Sequence, residues 1–413
     1  MEKKTVSGII AVILIASVVM FSGCVEEEAT VSIPTLTPTP TSTSTPAPEE
    51  SVIKPEPAPT SIITTSGRLT HNETWTDEVH ITGDIHIPPG ITLTIKPGTK
   101  IYVKANYDDQ GLGGEHIIDE ITNIDPSATP EYTQTHISFR IDGTLNAVGT
   151  SDNWITFTSD SPDPYNTDWD GMIFYRGSKG KLKYVVIEWT HTGPALHGTN
   201  DVSISHCRIR HTFWGGLHAF QCSPIFENNT LDDIGHEAFD THKASPIIRY
   251  NNISHARVAV VFNYYDLNTN KPLIFENNVI KNCSHLAQLQ ENSFTIIRSN
   301  KFYGSDDTGG PWIYKGFILD SQEHTQGIAL ADNVNVEIGN NEFYDIEWPI
   351  IYENIGPNRG IGHTTGVPEP FEIGDNPIKI LISNNFFNEF SGKEFVDELE
   401  KWKNVDFIDN TFG

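Results

Sequence analysis

The sequence predicts an all-β solenoid, a chain wound into coils of short parallel strands with one coil about every 22 residues. Three observations predict it. A hexapeptide recurs: Phe226-Glu227-Asn228-Asn229-Thr230-Leu231 is matched by Ile248 to Ile253, Phe275 to Ile280, Ile297 to Phe302, Ile338 to Phe343, Ile382 to Phe387 and Phe407 to Phe412. Its fourth position forms a column, Val185, Cys207, Asn229, Asn251, Asn278, Asn300, Asn341, Asn385 and Asn410, with steps of 22, 22, 22, 27, 22, 41, 44 and 25 residues. The tripeptides beside the column read as strands without helical period, and 22 residues are too few for a helix pair.

In chain order, residues 1–24 read as an export signal. Lys3 and Lys4 give a positive start. Gly8 to Phe21 is an apolar run too short for an ordinary bilayer span and the right length for a signal core. Phe21-Ser22-Gly23-Cys24 resembles a lipobox, which implies a lipid on Cys24 and membrane attachment through that lipid alone; an uncleaved N-terminal anchor is the alternative. Residues 25–68 are rich in Thr, Pro, Ser and Glu and cannot bury enough apolar surface to offset chain entropy. They read as a disordered spacer carrying an extracytoplasmic body.

That body spans 69–413, with N-terminal coils and a cap over 69–180 and regular coils with insertions and a C-terminal cap over 181–413. Neighbouring coils of a solenoid lie about 4.8 Å apart, so equivalent positions stack. An inward asparagine at a corner bonds the coils above and below, and asparagine tolerates the left-handed backbone of such bends. Asn229, Asn251, Asn278, Asn300, Asn341, Asn385 and Asn410 are therefore expected to form a structural ladder, begun by Val185 and Cys207. The 41-residue step marks an insertion near Gly304 to Asn335 that carries Trp312 and Tyr314. The 44-residue step holds either a degenerate coil or a loop near Asn354 to Asn376, and residues 105–135 are a third excursion. Solenoid insertions emerge on one face, and that face often binds. Ser391-Gly392-Lys393-Glu394 can cap a short helix whose Phe395, Leu399 and Trp402 cover the last coil.

These repeats resemble the pectin-lyase-like superfamily of right-handed parallel β-helices. Pro88 to Ile95, Pro97-Gly98-Thr99, Ile141 to Leu145 and Trp169 to Phe174 are similar to the opening coils of its surface proteins. The resemblance implies a right-handed, single-stranded parallel β-helix from about Thr70 to Gly413. It selects no activity, because the superfamily holds lyases, hydrolases, epimerases and proteins without known catalysis. The polygalacturonase-like hydrolase pattern is incomplete. Asn166-Thr167-Asp168, Asp232-Asp233 and Gly235-His236-Glu237 follow it in part, but Glu237 departs and no Arg-Ile-Lys follows.

The formal charge is −27, from 27 basic and 54 acidic residues, which repels nucleic acid and anionic lipid, and repels polyanionic glycans unless a cation such as calcium bridges the two. Only four cysteines occur, and with Cys24 set aside three remain, so no disulfide framework is expected.

Sixteen histidines are many. Aligned after the corner, Ala195-Leu196-His197, Gly216-Leu217-His218 and Ala238-Phe239-Asp240 place His197, His218 and Asp240 on three successive coils. His242 falls on the same face. A carboxylate beside imidazoles suits a general base, and Arg257 is the candidate charge stabiliser. Asp240-Thr241-His242 resembles the Asp-x-His of alginate-epimerase-like β-helices. Asn263 and Gln290 continue the stripe and, with Trp312 and Tyr314, are the candidate ligand-binding residues. The same stripe could hold calcium or a His-bound transition metal, or be a solvated polar surface. His191, His211, His236, His255 and His285 lie at irregular offsets and read as structural.

The expectation is an anchored surface protein that binds a polysaccharide. If it is an enzyme, a lyase or epimerase is favoured over a hydrolase. A non-catalytic structural or adhesion protein and a copper- or zinc-binding protein are the rivals.

Overall fold

The computed structural model describes residues 62–110, 134–263, 265–266, 269–290, 293–305, 312–314, 317–320, 325–330, 334–346, 348–352, 379–388 and 405–413. The chain divides into two units, Met1–Pro57 and Ala58–Gly413, and every described residue lies in the second. The export signal with Cys24, most of the spacer, the segment 354–376 and the capping segment 391–402 lie outside the described residues, as do the side chains of Trp312 and Tyr314.

Among the described residues the strands form a 12-stranded sheet, a 20-stranded sheet and one two-stranded pair. Within the two large sheets, coil follows coil in parallel register. One coil shows the plan. Ile225–Glu227 lies in the 12-stranded sheet, Asn228 and Asn229 turn a corner, and Thr230–His242 runs through both halves of the 20-stranded sheet. Lys243 then turns the chain back to Ile247–Arg249. The result is a parallel β-helix with three faces.

The corners follow from backbone sterics. At the first corner Tyr184, His206, Asn228, Tyr250, Asn277, Ser299, Asn340, Asn384 and Asp409 have φ between 53° and 57°. The left-handed residue is thus the one before each ladder position; the ladder asparagine itself has the ordinary sign of φ. At the second corner, between the two halves of the long sheet, Trp189, His211, Asp233, His255, Asn282 and Asp345 are left-handed.

The ladder asparagines are bonded coil to coil, and Asn229 to Asn385 are buried. Asn251 Oδ1 accepts the Asn229 N–H at 2.9 Å, and the same bond joins Asn251 to Asn278, Asn278 to Asn300, Asn300 to Asn341 and Asn341 to Asn385. Each Nδ2 donates to a carbonyl of the coil before, as Asn300 does to Phe275 at 2.8 Å. Two residues after the ladder, Leu231, Ile253, Ile280, Phe302, Phe343 and Phe387 fill the core.

The ladder resolves the irregular steps. Asn341 bonds Asn385 directly, and Asn335–Gly339 pairs with Ile380–Ser383, so the 44-residue step contains no hidden coil. Its extra residues follow Ile350–Tyr352 and lie outside the described residues. The 41-residue step opens at the second corner, between Lys301–Tyr303 and Gln326–Leu330, and includes the antiparallel pair Trp312–Tyr314 and Phe317–Asp320. The excursion after Lys100–Val103 returns at Ser138–Ile141, across the same corner. The insertions therefore flank the second half of the 20-stranded sheet.

One boundary moves. Ile62–Arg68 pairs in parallel with Glu78–Ile87, so the stack begins before residue 69, inside the segment assigned from composition to the spacer.

Candidate functional site

The flanked face carries the candidate residues in two rows. In one, Ala195 pairs with His218, His218 with Asp240, Asp240 with Val261 and Val261 with Gln288. In the other, His197 pairs with Phe220, Phe220 with His242 and His242 with Asn263. Gln290 follows Asn263 on the next coil, next to the pair Phe262 and Leu289.

This corrects the expected stacking of His197 on His218. Thr190, Thr212, Ile234 and Ala256 are in register before the second corner. Beyond it, the coils of Phe220 and His242 have absorbed one residue more than those of His197 and Asn263. The excess lies around Gly215-Gly216 and at the register shift between Ile234 and Glu237. Counting from the ladder slips there. Counting back from the exit turn, where Gly198, Gln221 and Lys243 have positive φ, keeps the true register.

His218, Asp240 and His242 do converge. Asp240 Oδ1 lies 2.9 Å from His242 Nε2, and Asp240 Oδ2 lies 3.4 Å from His218 Nδ1. Asn263 Nδ2 donates to His242 Nδ1 at 3.1 Å. With Nδ1 accepting, the proton of neutral His242 sits on Nε2 and points at Asp240. One carboxylate is thus shared by two imidazoles, and one imidazole is fixed in tautomer by an amide. His218 and Asp240 are each only 2% exposed, so the array is buried and is no solvated stripe. Among the described residues, neither Nδ1 nor Nε2 of His218 makes a hydrogen bond, and both are buried.

Arg257 stands at the second corner, where it hydrogen-bonds His236; His236 also pairs with the buried Glu237. The ring of Trp214 stacks on that of His236 at 4.1 Å, and His191 lies beyond it at 6.5 Å. This buried line abuts the strand that carries Asp240. His191, His236 and His285 are buried at the bend, whereas His211 and His255 sit on the outer corner, paired with Asp233 at 2.7 Å and Asp232 at 2.9 Å. Asp232 is partly buried, yet hydrogen bonds from Ser254 and His255 hold its carboxyl below the usual range.

A metal does not fit the array. His218 and His242 both address the Asp240 carboxylate, so their nitrogens are directed at an oxygen partner instead of at a common point. Among the described residues no group of three or more His, Cys, Asp or Glu is arranged to hold an ion. Cys207, Cys222 and Cys283 are buried and free, with thiols pushed up to about 12 by burial, which removes them as nucleophiles.

Phe220, Gln288 and the His236–Glu237 pair were not among the candidates. Phe220 carries no titratable signal, and its place depends on the residue absorbed at the bend.

The chain belongs to the right-handed β-helix family: residues 192–412 match the family described as right handed beta helix region. Among solved structures it is similar to the family 28 exopolygalacturonase of Yersinia enterocolitica, with 9% identity, a TM-score of 0.38, and coverage of 84% of this chain and 71% of that one. It is also similar to an alginate lyase from Paenibacillus sp. str. FPU-7, with 13% identity and a TM-score of 0.33, covering 77% and 93%. A double mutant of the periplasmic alginate epimerase AlgG has 10% identity and a TM-score of 0.36, covering 83% and 78%. No curated protein matches the chain.

Proposed function

We propose that the chain binds an extended polysaccharide on the flanked face and modifies it by proton abstraction, as a lyase or epimerase acting on uronic acid residues. One observation carries the reading: Asp240 Oδ2 lies 3.4 Å from His218 Nδ1, and His218 Nε2 is buried without a hydrogen-bond partner among the described residues. A base oriented by a carboxylate needs that arrangement. In this reading His218 removes the proton from the carbon next to the substrate carboxylate, and the electron pair moves into that carboxylate. His242 donates to Asp240. Arg257, held beside the same strand by His236, supplies positive charge. Return of a proton to the opposite face gives the epimer. Departure of the neighbouring glycosidic oxygen, with a proton, gives an unsaturated end and a cut chain.

The body is proposed to stand outside the cytoplasm, tethered through lipid on Cys24.

The test incubates the soluble body with alginate and with polygalacturonate. Unsaturated ends absorb in the ultraviolet, and epimerisation exchanges the substrate proton with solvent deuterium. Activity of either kind that vanishes in Asp240→Asn supports the reading. Absence of both in wild type leaves the adhesion or structural-rod alternative in its place.

A further inference from the structure

The 12-stranded sheet carries two outward columns that change character together. In the first, Ile225 pairs with Ile247, Ile247 with Ile274, Ile274 with Ile296 and Ile296 with Glu337. Thr74, Thr94, Asn146, Lys181 and Ser203 hold the same position on the coils before. Isoleucine thus fills this position on four successive coils, bounded on both sides by polar residues. Ile225 is 43% exposed, and Ile247, Ile274 and Ile296 are partly exposed. Their strand neighbours Phe226, Ile248, Phe275 and Ile297 are the residues that fill the core. The sheet accepts a lysine in this column at Lys181, so pairing alone does not call for the isoleucines.

Two residues further along each strand, on the same face, the second column reads Glu227, Arg249, Glu276 and Arg298 on those same four coils. Arg249 Nη2 lies 2.8 Å from Glu227 Oε2, and Arg298 Nη2 lies 2.6 Å from Glu276 Oε2. These pairs hold the four charges in a fixed order. They also make the strip neutral on a chain of charge −27, so two copies do not repel each other here. The order of signs, negative, positive, negative, positive, becomes its own complement when it is reversed.

We infer that this strip is an interface between two copies of the chain, related by a two-fold axis that runs along the strands. The two solenoids lie antiparallel, with their 12-stranded sheets face to face. Ile225 packs on Ile296 of the second copy, and Ile247 on Ile274 of the second copy. Glu227 then faces Arg298 of the second copy, and Arg249 faces Glu276 of the second copy, so every charge meets its opposite. A two-fold axis along the solenoid would carry the two charge columns to opposite sides of the isoleucines, where they never meet. The strip covers four coils about 4.8 Å apart, which suits a weak dimer with a dissociation constant on the order of 10 µM. The inference uses a different face from the acid–base array and is independent of the polysaccharide reading.

The experiment is sedimentation equilibrium of the full chain carrying Cys24→Ser, so that no lipid drives association, from roughly 1 to 300 µM. The expected result is a shift from monomer to dimer across that range. Ile247→Lys is expected to weaken the dimer at least tenfold, because a two-fold interface contains each change twice. Ile247→Thr keeps the β-branch and is expected to weaken it in the same direction, so the test stands if the lysine variant fails to fold. A chain with Glu227→Arg, Arg249→Glu, Glu276→Arg and Arg298→Glu together keeps the pairs within each copy and is expected to dimerise with itself. Mixed with the unswapped chain under two fluorescent labels, it is expected to form no mixed dimer, since like charges then meet. A chain that stays monomeric throughout overturns the inference, whatever else the strip then binds. A dimer undisturbed by the Ile247 variants overturns it, and so do mixed dimers that form as readily as unmixed ones.

Discussion

Gly215 lies under the His218 ring, so that a methyl group in its place would collide with Nε2 and Cε1 of the imidazole. The colliding atoms are the end of a side chain, and the ring can swing aside while the backbone stays. Gly215→Ala is therefore expected to shift the melting temperature by only a few degrees and to reduce Asp240-dependent turnover at least tenfold. Unchanged turnover would remove His218 as the base. A second residue-scale effect lies at the N-terminal coils. Burial pushes the Asp84 carboxyl up from 3.8 to about 6, with Asp108 and Asp109 adding to the rise against hydrogen bonds from Ser138. The folded state then holds a proton that the unfolded state has released, so stability falls as pH rises from 3.8 to about 6. Asp84→Asn is expected to flatten that part of the curve in denaturant titrations at stepped pH. A slope that persists would mean that other groups set it.

At the scale of elements, the ladder is where sequence and energetics meet most directly. Asn300 Oδ1 accepts the Asn278 N–H at 2.9 Å, and its Nδ2 donates to the Phe275 carbonyl at 2.8 Å, all in a dry interior. Asn300→Ala would leave both backbone groups without partners, a loss of about 2–4 kcal/mol. Asn410→Ala, at the end of the ladder, should cost under about 1 kcal/mol because solvent reaches the freed groups. Urea unfolding of the two variants checks the difference, and equal losses would refute the ladder's role in stability. The same element shows why the ladder was legible and the rows were not. An amide that must bond its own copies repeats in identity, so Asn229 to Asn410 stand out in a single sequence. The outer face has no such requirement. His197 was placed on the wrong neighbour because a residue absorbed at Gly215-Gly216 leaves no trace in the ladder spacing. His218, Asp240 and His242 survived the slip because the last two share one strand and Asp240 pairs with His218 in either count.

At the scale of the whole molecule, charge bears on the tether. A chain with a charge of −27 has little attraction for an anionic bilayer, so membrane retention would depend on Cys24. Cys24→Ser is expected to abolish incorporation of labelled fatty acid and to move the protein from the membrane to the soluble fraction. Retention of the variant would point to an uncleaved N-terminal anchor. The insertions at residues 104–137, 264–272, 304–325 and 353–379 all leave from the two margins of one face. A cylinder offers three faces of similar construction, and these departures single out one of them.

By itself, the sequence determined the solenoid, its coil length and its internal ladder, because burial and hydrogen bonding between equal coils demand a repeating pattern. It also marked the histidine- and aspartate-rich stretch as unusual. Only the tertiary structure decided which side chains meet there. It showed that Asn341 bonds Asn385 directly across the 44-residue step and that Asp240 lies between His218 and His242. The physical reason is that contacts across coils depend on register, and register beyond a bend depends on how many residues the bend takes up.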